Sequence, residues 1–252
     1  MSSREEQSPY RHKPGTKPDG KSQHGRIVRE LGLRILAGEL APGERLPAEA
    51  ELIEKYAVSR PVLREAVRVL VAKGLVLSRQ RAGAIVRPRN EWHLLDPDVL
   101  YWMIQTRPAP EFVQTLMGMR RVFEPGAAAL AAQAASAEQL AGIAQAYEGM
   151  ASAVDAGAML EPDLAFHRRI AEATGNDLMA YIGTMLSLAL RESIKLSSQL
   201  PNTHALSLPR HKAILTALQN RDAAAAHRAT LLQLDAAQHD LSTVIATGID
   251  LH

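Results

Sequence analysis

The chain has 252 residues, 46% of them hydrophobic and 4% aromatic, which is length enough for two domains and the composition of an alanine-rich, mainly helical protein. The absence of cysteine excludes disulfides, thiolate metal sites and cysteine nucleophiles. No apolar run approaches the roughly 20 residues that a membrane span needs, so the reading is a cytoplasmic protein with no membrane partner. The net charge of +2 conceals a division: residues 1–90 hold 18 Lys and Arg against 10 Asp and Glu, or +8, and residues 91–252 hold 11 against 17, or −6. A nucleic-acid-binding module joined to a neutral or acidic regulatory domain has that asymmetry.

Residues 1–22 are rich in Pro, Gly, Ser and charge and read as a disordered tail. From His24 to Ala37 the spacing of Ile27, Val28, Leu31, Ile35 and Leu36 predicts a helix that Gly38 helps to end. A connector marked by Pro42, Gly43 and Pro47 leads into a short helix to about Tyr56, and a tight turn at Ala57 and Val58 delivers the chain to Ser59. In Ser59–Lys73, Leu63, Ala66, Val67, Leu70 and Val71 form an apolar helical face, with Ser59 a candidate N-cap and Pro61 tolerable in the first turn. Arg60, Arg64 and Arg68 recur every four residues and form a neighbouring basic stripe. Leu75–Leu77 and Ile85–Val86 then make two short β-type runs around a turn carrying Arg79, Arg81 and Gly83. Helix, helix-turn-helix and basic hairpin together make a winged DNA-binding module over residues 24–88.

Residues 89–97 read as a linker, although Trp92, Leu95, Leu100 and Trp102 are apolar enough to pack against a second domain. The rest is helical, with candidate helices at 98–105, 111–134, 137–156, 161–173, 177–199, 205–219 and 222–246. Ser136 with Gln139 suits a capping box, Gly157 and Gly175 suit C-terminal stops, and Asp222 suits an N-cap. The fold class is mainly α: a winged helix-turn-helix joined to an all-helical bundle over 98–246.

Asp163 and His167 lie four apart and share a helical face with Ile170 and Thr174, and His211 faces the apolar side of its own helix with Ile214, Leu215 and Leu218. One carboxylate and two imidazoles are a donor set for Zn²⁺, Ni²⁺ or Mn²⁺. Spacing alone favours two buried, hydrogen-bonded histidines.

The segments PGERLPAEAEL, VSRPVLREAVRVLVAKGLV and SRQRAGAIV resemble the N-terminal domain of the GntR superfamily of bacterial transcription regulators. By that resemblance Ser59, Arg60 and Arg64 fall where the family reads its operator, with Arg79, Arg81 and Gly83 in the wing. Ala50 stands where many members carry an arginine, so one DNA contact is missing. The helical remainder resembles the effector domain of the FadR subfamily, of the FCD type, and residues 90–102 resemble the corresponding segment of its regulators that respond to sugar acids such as galactonate. The DxxFH pattern, the later GN, PRHKAILTAL and RDAAAA are similar to the metal-binding version of that domain, which implies a divalent metal, Zn²⁺, Ni²⁺ or Mn²⁺, on Asp163, His167 and His211. The last helix should supply another histidine, yet Gln233 occupies its place, leaving the set incomplete in protein ligands. His227 and His239 are each six residues away, about 120° round the helix, so neither is an obvious replacement. Arg120 matches an arginine pointing into the effector pocket, with Asn176 and Arg191 as further candidates.

The resemblance implies a homodimeric, non-enzymatic regulator that binds a pseudopalindromic double-stranded operator and is released by a small carboxylate, a sugar acid of the galactonate kind. Alternatives are a regulator of another organic-acid pathway, a constitutive or architectural DNA-binding protein, and a metal-dependent hydrolase. No separate general base supports the last, and it leaves the basic module unexplained.

Overall fold

The computed structural model describes residues 22–79, 83–106, 109–200 and 203–247. Arg81 and, apart from Ser22, the expected tail lie outside the described residues. The chain divides into two compact units at the His93/Leu94 boundary.

In the first unit α1 (Gln23–Ala37) is capped by the Ser22 side chain and ends at Gly38, whose φ of +84° is the left-handed geometry that glycine adopts without penalty. Ile27, Val28, Leu31, Ile35 and Leu36 are all buried, against α3 (Arg60–Ala72). Between them lies α2 (Glu49–Tyr56), closed by Ala57 in the left-handed region at φ +51°. Leu63, Ala66 and Leu70 are the buried positions of α3; Ser59 stands at its N-cap with extended backbone, and its side chain makes no capping bond. The hairpin of β1 (Val76–Arg79) and β2 (Gly83–Val86) pairs Val76 with Val86 and Arg79 with Gly83. Arg45 bridges to Ile85, with Leu46 N donating to Ala84 O and Val86 N to Glu44 O, so the connector before α2 lies along β2.

After a 3₁₀ turn at Arg89–Glu91, Trp92 is buried and its indole N–H donates to Arg87 O at 2.9 Å. This corrects the expectation for the linker: Trp92 belongs to the first unit, and Leu95 is exposed. Trp102 is buried and Leu100 half-buried within the second unit.

The second unit contains α4 (Pro97–Thr106), α5 (Ala109–Ala134), α6 (Ala137–Ala151), α7 (Ala156–Glu172), α8 (Asp177–Ser197), α9 (Thr203–Gln219) and α10 (Ala223–Ala246). Ser136 and Gln139 form the reciprocal capping box, Asp222 caps α10, and Gly175 turns the chain after α7 with φ +70°. Two boundaries differ from the sequence reading by five residues each. The helix predicted over 137–156 stops at Ala151, and α7 starts at Ala156 because the Asp155 carboxylate accepts from Ala158 N at 2.7 Å. Gly157 therefore sits in a first turn and not at a helix end. Pro125, Pro162 and Pro209 lie inside α5, α7 and α9.

Two apolar clusters stabilise the bundle. One joins alanines of α5 to Ile143, Phe166, Ile170, Ile214 and Leu218; the other joins Phe112, Leu116 and Met117 to Leu196, Leu234, Leu241 and Val244. Gly183 lets α8 approach α7 closely, since an added methyl would overlap the Ala171 Cβ. Among the described residues no helix is long and apolar enough to cross a membrane.

Candidate functional site

Helix α3 buries one side and exposes the other, as its apolar spacing requires. Arg60, Arg64 and Arg68 keep 65%, 66% and 80% of their side-chain surface exposed. Arg60 and Arg64 both direct Nε at Oε1 of Glu49 on α2, at 3.4 and 3.3 Å, so one carboxylate lines up two guanidinium groups along the helix. Ser59, Arg79 and Gly83 are also exposed, and Gly83 takes φ +75° where the hairpin resumes.

In the second unit Asp163 and His167 on α7 meet His211 on α9. Asp163 Oδ1 lies 3.2 Å from His167 Nε2 and 3.4 Å from His211 Nε2, and the two Nε2 atoms are 3.4 Å apart. Donors sharing one cation at about 2.0–2.2 Å stand about 3–3.5 Å from each other, so the triad has the spacing of a metal site. The opposite ring nitrogens support that reading. His211 Nδ1 faces Ser207 O at 3.0 Å and His167 Nδ1 faces Glu124 Oε2 at 3.1 Å, so each Nδ1–H has an acceptor and each Nε2 turns toward Asp163. Asp163 Oδ1 is buried without a hydrogen-bond partner, the kind of atom a cation would satisfy. Phe166 packs edge-on against both imidazoles and closes the apolar side.

The electrostatics are those of a tightly paired buried cluster. Burial opposes ionisation of Glu124, but the charges of Arg120 and His167 outweigh it and hold its pKa at about 2. Burial likewise opposes charge on His167, yet Glu124 and Asp163 raise its pKa to about 9. Asp163, buried but beside His211 and His167, is held well below the usual carboxylate range. A cation at Nε2 would take the place of the proton that these carboxylates favour on His167.

A cavity of about 50 Å³ adjoins the triad and is lined by Arg120, Asp163, His167, Arg210, Gln233 and Asp240, with hydroxyls from Ser193, Ser197, Ser198, Thr203 and Ser207. Arg120 is buried, as the inward-pointing reading requires, but its Nε and Nη2 pair with Glu124 at 2.6 and 3.3 Å. Its fork is therefore already engaged. The other two effector candidates lie elsewhere. Asn176 is the N-cap of α8, its Oδ1 accepting from Leu178 N and Met179 N, and Arg191 pairs with Glu161 at the surface; neither lines the cavity.

Comparison with known proteins accounts for both units. Residues 23–86 match the bacterial regulatory proteins of the gntR family and residues 115–236 match the FCD domain. The chain is 33% identical over 225 residues to the galactonate operon transcriptional repressor of Escherichia coli K12, covering 87% of this chain and 96% of that protein. The chain belongs to the GntR family of transcription regulators. It is also 30% identical over 214 residues to the repressor NanR of Salmonella newport, covering 83% of this chain and 81% of that protein. The solved structure of Lar, which controls the expression of the Listeria monocytogenes agr system, shares the fold at a TM-score of 0.60 and 20% identity, covering 86% of this chain and 96% of that one. These matching domains and relatives are regulators, not enzymes.

Two residues of this GntR-family regulator escaped the sequence reading. Glu124 was marked only by its i,i+4 relation to Arg120, a spacing that on most helices means a surface pair. Arg210 adjoins His211 in sequence and lines the FCD cavity, donating from Nε to Gln233 Oε1 at 2.8 Å.

Proposed function

We propose that the protein is a homodimeric repressor, released from a pseudopalindromic operator by a polyhydroxylated carboxylate of the sugar-acid class that enters the FCD cavity beside a divalent cation. Convergence of Asp163 Oδ1, His167 Nε2 and His211 Nε2 at the edge of a hydroxyl-lined cavity is the observation that carries this reading. The donor set suits Zn²⁺, with Ni²⁺ and Mn²⁺ as alternatives. A bound cation would supply Lewis-acid affinity for ligand oxygens. The chain's own groups orient and select: Glu124 and Ser207 O hold the two imidazoles, and the serine and threonine hydroxyls line the path of a polyol.

The cavity's volume has a mechanical implication. At about 50 Å³ it has room for about three or four water molecules, so a six-carbon acid enters only if the lining helices part. An effector that binds the widened arrangement better shifts the population toward it, and the coupling to DNA binding is the difference in affinity for the two arrangements. In a twofold dimer that shift resets the spacing of two recognition helices on successive major-groove faces. Exposed Met119, Val122 and Leu130 on α5 and Leu232 on the adjacent α10 support self-association.

The test is binding of the purified protein to its own upstream DNA at fixed salt, with and without a panel of sugar acids, alongside mass by light scattering. Release by one acid from a dimer is expected. Tight binding that no acid alters would overturn the effector assignment, and a monomeric protein on the operator would overturn the symmetry argument.

A further inference from the structure

We propose that Arg210, rather than Arg120, receives the effector's carboxylate, and that Gln233 is its positioning residue rather than a fourth metal ligand. The inference rests on the reading that a carboxylate effector enters the FCD cavity, and names which residue reads its charge.

The two arginines on the cavity wall differ in how much of the guanidinium is committed. Arg120 grips Glu124 through both Nε and Nη2, and its Nη1 lies 3.8 Å from Met117 Sδ. That bidentate pair also orders the acceptor of the His167 N–H, so transferring Arg120 to an incoming acid would disturb the support of the triad. Arg210 is held differently. Its Nε donates to Gln233 Oε1 at 2.8 Å, and its Nη2 stands 3.7 Å from Asp240 Oδ2, within ion-pair range but beyond a hydrogen bond. The Nε anchor fixes the plane of the guanidinium and leaves its terminal nitrogens without a close partner on Asp240. A planar fork fixed by a neutral amide and facing a cavity is preorganised for a carboxylate. Asp240 is the like-charged competitor, and its long contact is the one an entering acid displaces.

The same bond points to a positioning role for Gln233. This side chain is buried on α10, and its oxygen, the atom a cation would recruit, accepts from Arg210. Its amide nitrogen is a donor and offers no lone pair to a metal. The cation is then left with three protein donors and open positions for effector oxygens, while the carboxylate is fixed at Arg210.

The experiment is calorimetric titration of the zinc-loaded, full-length protein with D-galactonate and with galactitol, which offers a similar run of hydroxyls without the charge. Zinc affinity is measured in parallel by competition with a chelating dye. Wild type should prefer galactonate. Arg210→Gln should weaken galactonate by about 10- to 100-fold, leave galactitol unchanged and keep zinc affinity within a few-fold, which also shows that the variant is folded. Gln233→Ala should weaken galactonate less and leave zinc affinity unaltered. Undiminished galactonate binding by Arg210→Gln, with loss in Arg120→Gln, would overturn the assignment to Arg210 alone. A loss of zinc in Gln233→Ala as large as in Asp163→Ala would make Gln233 a ligand and overturn its positioning role. Failure of the wild type to bind galactonate or any related hexonate would overturn the carboxylate-effector reading, and this inference with it.

Discussion

His167 on α7 and Glu124 on α5 meet through Nδ1 and Oε2 at 3.1 Å, so a helix that supplies no member of the triad nevertheless orients one of its imidazoles. Because the carboxylate also pairs with buried Arg120, one side chain carries two tasks. Glu124→Ala should weaken zinc binding about 10- to 100-fold, the usual effect of losing such an outer partner. It should also destabilise the fold by about 3–5 kcal/mol, since Arg120 is left as an unpaired buried charge. Glu124→Gln retains an acceptor and should separate the two effects. Dye competition and urea denaturation provide the readouts.

Metal removal should lower the thermal midpoint. Asp163 Oδ1 is buried without a hydrogen-bond partner, and a cation bound only by the folded chain stabilises it by mass action, about 2.7 kcal/mol at a hundredfold excess over Kd. Thermal scans with zinc and with chelator should differ for wild type and coincide for Asp163→Ala. A wild type indifferent to metal would remove the site.

Arg64→Ala should reduce operator affinity by about 1–3 kcal/mol if the arginine reads a base, and leave zinc and effector binding intact. Glu49→Ala should weaken operator binding less, because it releases Arg60 and Arg64 from their shared carboxylate but removes no DNA contact. Its effect on stability should stay below about 1 kcal/mol, as for exposed pairs generally. Fluorescence anisotropy with operator and scrambled DNA across a salt series distinguishes base reading from phosphate contact.

Gly183→Ala should destabilise the FCD unit by about 1–3 kcal/mol, because the new methyl collides with the Ala171 Cβ and drives α8 off α7. As α7 carries Asp163 and His167, zinc affinity should fall in the same variant, whereas Gly118→Ala, facing open space, should alter neither. Denaturation midpoints and dye competition on the pair test both statements.

The sequence exposes those parts of the fold that depend on local chemistry. The face of α3, the Ser136–Gln139 box and the Asp222 cap are each written within a few adjacent residues, and they appear as read. The i,i+4 relation of Asp163 and His167 is equally local. Glu124 was hidden because only the packing of α5 on α7 turns its Arg120 pair inward. Gly157 misled because a glycine after a helical run suggests a stop, while Asp155, two residues earlier, was already capping the next helix. Trp92 was placed in the wrong unit because burial of an indole is predictable but its partner is not; the Arg87 carbonyl decides it.

The internal prolines bear on how the bundle yields to load. Pro125, Pro162 and Pro209 stand within two residues of Glu124, Asp163 and His211, one in each helix of the triad and its support. A proline has no N–H, so the carbonyls of Arg121, Ala158 and Ala205 lose their helical donor, and these are the points at which helices bend. Three weakened rungs beside one site give the bundle an elastic waist at the level of its ligands. A force applied there would be converted into bending of α5, α7 and α9 together.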